Sequence, residues 1–441
     1  VGLVDPTSGG PCPTRPRLGS GCTDFFGYAD STDFHEGAWD VKSQYTHVDS
    51  TGASVNVDWR LPAFTFTSVT SFEENTSKVH EDADASPNYV ITGNYYGNPR
   101  QTSQEFRLTS PAGALSWIAG AYYFHEDLDS SVGFPVPGFG PGALSGGLSD
   151  LPESLGQVSA MTTDSYALFG NVDYAVTERW KLTAGLRYTH ETKDVDYAAW
   201  LLDVSDIGNM DLLVNRRIVD RAIVQTIDFG EKKSWDDVSG RLSASYKVSD
   251  DVLAYASVAR GFNSGNYNGG AVQDQTEASL VDPETLLSYE VGLKSELGGQ
   301  LRLNVSAFYY DFTDQQVFVL ASGSSGVPVQ QLSNAAASTL YGVEMEAIWR
   351  PVDALTVQLG AGYTHSKFDE FETPLGQDLS GGTLPSAPKT NVNAMAVYTI
   401  PTGIGAWAIE ADAKYQSKQY FSVNNDPILS QDAYTVANVR A

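Results

Sequence analysis

The chain has 441 residues, with 54 acidic against 27 basic side chains and a formal net charge of −27. A balance this acidic fits solvated loops and argues against nucleic acid as a partner, because phosphate binding needs clustered Lys and Arg. No run approaches the roughly 18 apolar residues of a membrane helix, but 23 Tyr, 19 Phe, 8 Trp and 41 Gly leave a membrane barrel open, since its strands are short and alternate in polarity.

The chain begins at Val1 with no Met, basic n-region or apolar signal segment, so the expectation is a processed chain or a fragment. Cys12 and Cys22 are the two cysteines and lie in the Pro/Gly-rich stretch PCPTRPRLGSGC. Their closeness predicts one loop disulfide formed in an oxidising compartment, stabilising by roughly 2–3 kcal/mol. The alternative is two free thiols; the spacing is not that of a zinc site.

From SVNVDWRL onward the chain alternates with period two, with Val55, Val57, Trp59 and Leu61 on one face. WKLTAGLRYTH repeats the pattern with Trp180, Leu182, Ala184, Leu186 and Tyr188 against Lys181, Thr183, Gly185, Arg187 and Thr189. The same alternation runs through Val238–Tyr246, Tyr289–Leu293, Leu301–Tyr309 and Leu355–Tyr363, and predicts about fifteen strands and no amphipathic helix. Short turns are expected at 61–63, 111–114, 176–179, 248–251, 298–300, 350–354 and 401–405. Between them fall long segments at 75–101, 127–160, 193–234, 263–284, 314–336, 369–388 and 421–431. This alternation places tight turns at one end of a meander and long loops at the other, the shape of a transmembrane antiparallel up-and-down β-barrel. A β-propeller would need a blade-length repeat, which is missing.

On the apolar face, aromatic residues recur eight apart: Tyr166 and Tyr174, Trp180 and Tyr188, Tyr341 and Trp349, Trp407 and Tyr415. Eight residues span roughly 26 Å along a strand and roughly 20 Å vertically once tilted by about 40°. That matches an apolar band between two aromatic girdles. The other face carries Lys181, Arg187, Glu344, Glu346, Glu410, Asp412 and Lys414, as a hydrated lumen would. The apolar face is therefore read as facing lipid.

No catalytic signature is present: G-x-S-x-G, HExxH and GxxxxGK[ST] are all absent. His190 and His365 extend the apolar face past Tyr188 and Tyr363, which suits a membrane interface better than a metal. The stretch HEDAD (80–84) could chelate a divalent cation or be a solvated acidic loop. No metal or cofactor is expected. Arg216, Arg217 and Arg221, with Lys232 and Lys233, break the acidic trend. Such a cluster could catch an anionic ligand, meet lipopolysaccharide phosphates or pair with Asp220 and Asp228. Phe134 and Phe139 lie in a Gly/Pro-rich loop that could touch a ligand or simply pack irregularly.

Four stretches resemble the C-terminal barrel of TonB-dependent outer-membrane receptors. AGLRYTHETKDVDY (184–197) is similar to that family's GLRY-T-x-E-x-K strand, and YASVARGFNSGNYN (255–268) to its Y-x-S-x-x-x-G-F-x-x-G-x-x-N segment. PETLLSYEVGLKSEL (283–297) resembles PE-x-x-x-x-YE-x-G-x-K, and NAAASTLYGVEMEAIWR (334–350) resembles NA-x-x-x-x-x-x-GVE-x-E. The resemblance implies part of a 22-stranded barrel, incomplete at both ends, whose lumen holds an N-terminal plug. The plug and the box that engages the inner-membrane TonB complex would precede Val1, and the first 50 residues would be an extracellular loop and the start of a strand. It further implies energy-coupled import of a scarce large solute, a ferric siderophore or other iron complex first, with oligosaccharide or cobalamin uptake and a passive porin-like channel as alternatives. On that reading Arg187, Glu191, Arg260 and Glu344 lie in the upper lumen or at the mouth, beside the Arg216, Arg217 and Arg221 loop, as candidate ligand contacts. Outer-membrane lipid and lipopolysaccharide would surround the barrel, and pairing of lumen charges among themselves or with the plug is the competing role.

Overall fold

The computed structural model describes residues 23, 26–29, 37–39, 44–83, 86–88, 91–135, 154–202, 222–268, 280–322, 328–427 and 429–441. The strands are Tyr45–Arg60 (β1), Thr65–Asp82 (β2), Thr92–Thr109 (β3), Leu115–Pro135 (β4), Ser154–Ala175 (β5), Trp180–Leu202 (β6), Ala222–Ser249 (β7) and Val252–Asn263 (β8). Next come Asn266–Tyr267 (β9), Leu280–Val281 (β10), Glu284–Leu297 (β11), Leu301–Ser322 (β12), Pro328–Val352 (β13) and Leu355–Phe371 (β14). Thr390–Thr402 (β15), Gly405–Gln416 (β16), Gln419–Tyr420 (β17), Ser430–Gln431 (β18) and Tyr434–Arg440 (β19) complete the order.

Fifteen of these form one antiparallel sheet in which each strand pairs with its neighbours in the chain; β9 with β10 and β17 with β18 form two small ladders inside the long connections. Among the described residues no ladder joins β1 to β19, so the sheet is not closed. The expected tight turns are all present, at 61–64, 110–114, 176–179, 250–251, 298–300, 353–354 and 403–404.

The long segments differ from expectation. Strand structure continues well into them, so that β6 runs to Leu202, β7 starts at Ala222, and the 314–336 segment is mostly β12 and β13. A tilted strand crosses hydrocarbon in about 9–11 residues, yet β5 has 22 and β7 has 28. The extra length extends toward the long-loop end. Beyond the apolar band neither face meets lipid, so nothing enforces alternation there, while the backbone still pairs best with its neighbour.

Register confirms that one face is uniformly apolar. Leu168, Leu186 and Leu242 are each more than 60% exposed, and they share that face with Val172, Ala184, Ala244 and Val258 through direct pairing. All eight aromatic residues of the expected girdle are exposed on it. Rings that the eight-residue spacing does not pick out join them: Trp180 packs on Tyr246 with centroids 4.7 Å apart, and Tyr123 on Tyr166 at 4.9 Å. Tyr289, Tyr309, Tyr341 and His365 continue one row across β11 to β14.

Buried apolar side chains lie elsewhere, near the long-loop end. Tyr197, Ala199 and Ile227 pack with Phe229, and Val319, Ala336, Phe368 and Phe371 pack with Leu379, Leu384 and Val423. The second cluster anchors the connections after β14 and β16, which Asn425 ties together by accepting from Thr383 N and donating to Thr383 O, both at 2.7 Å.

Exposed Leu168 separates water from lipid as its surroundings. Leu168→Arg on a wetted surface changes stability by no more than about 0.5 kcal/mol, whereas at mid-bilayer it costs about 2–4 kcal/mol. The expected result is the larger loss, read as a lower urea midpoint of the parent protein folded in lipid vesicles.

Candidate ligand-binding site

The face opposite the leucines is polar, and β6 and β7 give it Lys181, Arg187, Lys193, Lys233 and Arg241. Arg187 pairs in register with Phe169 and Ser239. Its guanidinium lies 5.4 Å from the centre of the Tyr122 ring and 5.9 Å from that of Phe169. Nε donates to Thr189 Oγ1 at 3.1 Å, and among the described residues no carboxylate pairs with Arg187. Lower on the same face Lys181 pairs with Asp173 at 3.1 Å.

Two and three positions further along that face stand Glu191 and Lys193, the Glu and Lys of the GLRY-T-x-E-x-K resemblance. Both are largely buried: their side chains are 18% and 12% exposed. Glu191 accepts from Ser264 Oγ. Lys193 Nζ donates to Gly265 O at 2.9 Å and lies 3.6 Å from Glu191 Oε1. Burial holds the Lys193 ammonium below the usual lysine range, with Glu191 pulling the other way.

These contacts exist because β7 and β8 part company. Their ladder stops at Gly240 and Arg260, while β7 continues alongside β6. Segment 264–268 and the β9–β10 ladder fill the gap. Lys233 Nζ reaches Asp282 at 3.2 Å from one side. From the other, Gln316 Nε2 donates to Ser264 O at 2.9 Å and to Asp282 O at 3.0 Å, and Asn334 Nδ2 donates to Asp282 O at 2.8 Å. Tyr267 of the segment packs on Phe229, and Phe229 on Tyr197, with centroids 6.4 and 5.9 Å apart, while the Trp235 ring lies against Gly265. Burial, then Glu231 and Asp194, push the Tyr267 phenol up to about 12, so it remains a donor at any physiological pH.

Arg260, expected near the mouth, stands where the β7–β8 ladder ends. Register sets it in the row of Gly240 and Leu287, on the leucine face. Its Nη1 reaches across the seam to both Asp237 carboxylate oxygens at 2.8 Å and to Val238 O at 2.7 Å. There it satisfies a carbonyl that the ended ladder leaves free. Glu344 sits on the polar face of β13, opposite Ser306 and Gly362, exposed and without an ion-pair partner among the described residues. The structure thus brings Glu191 together with Lys193 and leaves Arg187, Arg260 and Glu344 apart. Arg216, Arg217 and Arg221, and Cys12 and Cys22, lie outside the described residues. So does Asp84 of HEDAD, whose His80 is engaged by Asn94 at 2.7 Å. His190 Nδ1 lies 2.9 Å from Asp236, and among the described residues no cluster of three or more His, Cys, Asp or Glu could hold a metal ion.

Lys193 is the Lys of the GLRY-T-x-E-x-K resemblance, whereas Lys233 was legible only as a charge in a presumed loop. Trp235 carries no motif, because its surroundings depend on a segment folded over it, and Tyr267 falls at an unspecified position of the stretch YASVARGFNSGNYN.

A fifteen-stranded meander with one lipid-suited face and one polar face is the wall of an outer-membrane β-barrel, and the family described as TonB dependent receptor-like, beta-barrel matches residues 6–441. The chain belongs to that family. Among individual proteins it is similar to the pesticin receptor of Yersinia pestis, 26% identical over 275 residues, covering 62% of this chain and 36% of that receptor. The Yersinia enterocolitica pesticin receptor is 25% identical over the same shares. Among solved structures, the ferric yersiniabactin uptake receptor FyuA from Yersinia pestis superposes with a TM-score of 0.72 at 19% identity, covering 90% of this chain and 54% of that one. The siderophore receptor PiuA from Acinetobacter baumannii gives a TM-score of 0.66 at 15% identity, covering 91% and 59%. The chain therefore spans about a third of the length of these pesticin receptors and little more than half of these solved chains.

Lys193→Met keeps the stem packed but removes the donor to Gly265 and the charge beside Glu191. Backbone amides of 264–268 are expected to exchange roughly tenfold faster or more, with amides around Tyr188 unchanged, as read by hydrogen–deuterium exchange.

Proposed function

We propose that this chain forms most of the wall of a receptor that imports an anionic ferric chelate across the outer membrane, driven by the inner-membrane TonB complex. The observation that carries the reading is Arg187, a lumen guanidinium seated over two rings with no carboxylate partner among the described residues. In a chain of net charge −27, a cation kept free of its own acids is available to a negatively charged solute. Stacking holds the group flat while leaving its Nη donors for bidentate contact. Family membership supports the mode of transport, and the names of the similar solved receptors support iron as the cargo. The Arg216, Arg217 and Arg221 cluster, in the connection between β6 and β7, would add attraction at the mouth. Glu344 is assigned to contacts inside the lumen. The eight girdle aromatics are assigned to the two headgroup levels, and the short periplasmic turns usual in such barrels support assigning the tight turns to that side and the long loops to the outside.

Growth on limiting iron with single added chelates tests this. Deletion of the full-length parent gene is expected to abolish growth on one anionic ferric chelate, with rescue by the gene and loss when the proton gradient is collapsed. Growth on every iron source without the gene would refute the iron reading. Arg187→Met, which retains the stem over the rings, is expected to raise the half-saturating chelate concentration about tenfold while leaving receptor abundance unchanged.

A further inference from the structure

A second guanidinium on the lumen face shares with Arg187 the lack of an acid beside it. Arg241 lies on β7 directly opposite Gly185 of β6 and Ala259 of β8. Gly185 precedes Arg187 by two residues, so Arg241 stands one step nearer the tight turns, about 7 Å along the strand at roughly 3.3 Å per residue. It is exposed, and among the described residues no carboxylate pairs with it. The two arginines differ in their surroundings. Rings of Tyr122 and Phe169 flank Arg187, whereas Arg241 rises from a floor of small and neutral residues. Ser239 and Ser243 share its face on β7, and Ser257 of β8 faces Ser243. The Asn171 amide leans over Gly185, where a Cβ would sit 3.0 Å from Asn171 Oδ1.

The acids on this stretch of wall are bonded elsewhere. Asp173 accepts from Thr183 Oγ1 and pairs with Lys181. Asp237 is held by Arg260 at the seam. Glu290 of β11 accepts from Tyr255 Oη. A guanidinium in such a clearing keeps all its donors, and the hydroxyls of Ser239, Ser243 and Ser257 can donate to the same oxygen-rich group. The low-dielectric wall focuses the field of the charge into the lumen. The small floor leaves room for a ligand beside it.

We propose that Arg241 is a second anion-binding station of the lumen, which takes the carboxylate or phenolate oxygens of the ferric chelate as they leave Arg187. This rests on the import reading above and adds to it a deeper site and an order of contact. Arg187, beside Tyr188, governs capture. Arg241, one step nearer the tight turns, governs passage. With two guanidinium groups so close, the interaction lost on leaving the first is regained at the second, which lowers the barrier between them and adds little to affinity at the first. The chelate also keeps to the side of the wall away from Glu344 and Glu346, which share the polar face of β13. A neutral solute gains nothing from either station.

The test uses cells carrying the full-length receptor, with radiolabelled ferric citrate and a ferric tris-catecholate as probes. Binding is read on de-energised cells and uptake on energised ones. Arg241→Met is expected to leave the dissociation constant of the accepted chelate within about twofold and to slow its uptake about tenfold. Arg241→Lys, which keeps the charge, is expected to retain most of the uptake. Wild-type uptake by Arg241→Met overturns the second station and leaves the import reading standing. A loss of uptake that Arg241→Lys does not restore, accompanied by entry of vancomycin into the cells, also overturns it and marks Arg241 as a support for whatever fills the lumen. If Arg241→Met raises the dissociation constant and slows uptake in the same proportion, the two arginines form one site and the order of contact is overturned. If the wild-type receptor takes up neither probe, the anionic-chelate reading fails and the second station falls with it.

Discussion

A chain that crosses hydrocarbon must pair every backbone N–H and C=O within itself, because lipid offers no substitute partner. In this protein that requirement is met by fifteen antiparallel strands laid side by side in chain order, with β8 bonded to β11 and β16 to β19 past the two small ladders. Other features follow from it. The side chains sort into two faces with period two, so the same strand shows Leu186 to lipid and Arg187 to the lumen. The turns at one end shrink to two to five residues, since adjacent strands need nothing more to reverse. The other end is free to elaborate.

That freedom is where the protein places its packing. A soluble domain buries its apolar side chains in the middle; here the middle of each strand shows its apolar residues outward, and the buried clusters form at the long-loop end instead. The strands outrun the apolar band, and loops fold back onto their extensions. The Phe368 and Phe371 cluster and the Asn425 tie order one part of this rim. The seam between β7 and β8 organises another, where Arg260 caps a carbonyl and segment 264–268 is drawn in against Trp235.

Charge is distributed with the same economy. Many lumen acids are matched, as Asp173 is by Lys181 and Glu410 and Asp412 are by Arg440. Arg187 is not. It uses ring faces in place of a carboxylate, which holds its position and preserves its charge. Where a polypeptide is acidic overall, a cation guarded in this way has far more influence on an anionic solute than its single charge suggests, because the lumen walls limit screening.

Alternation in WKLTAGLRYTH and its counterparts, read by itself, settled the strand class, the tight turns, the lipid-suited face and the aromatic rows, because each of these is a local consequence of period-two geometry. It also carried Arg187 and Glu191 to the polar face correctly, since they follow Tyr188 by parity. It could not see where strands continue once both faces are wet, and so it left residues of β6, β7, β12 and β13 as loop. Parity from Val258 puts Arg260 on the leucine face, but not at a seam, because the end of a ladder depends on the partner strand. Lys193 and Trp235 both reach Gly265 only when a segment some 70 residues on from Lys193 folds across the gap between β7 and β8. Contacts of that range obey no period, and only the tertiary structure decides them.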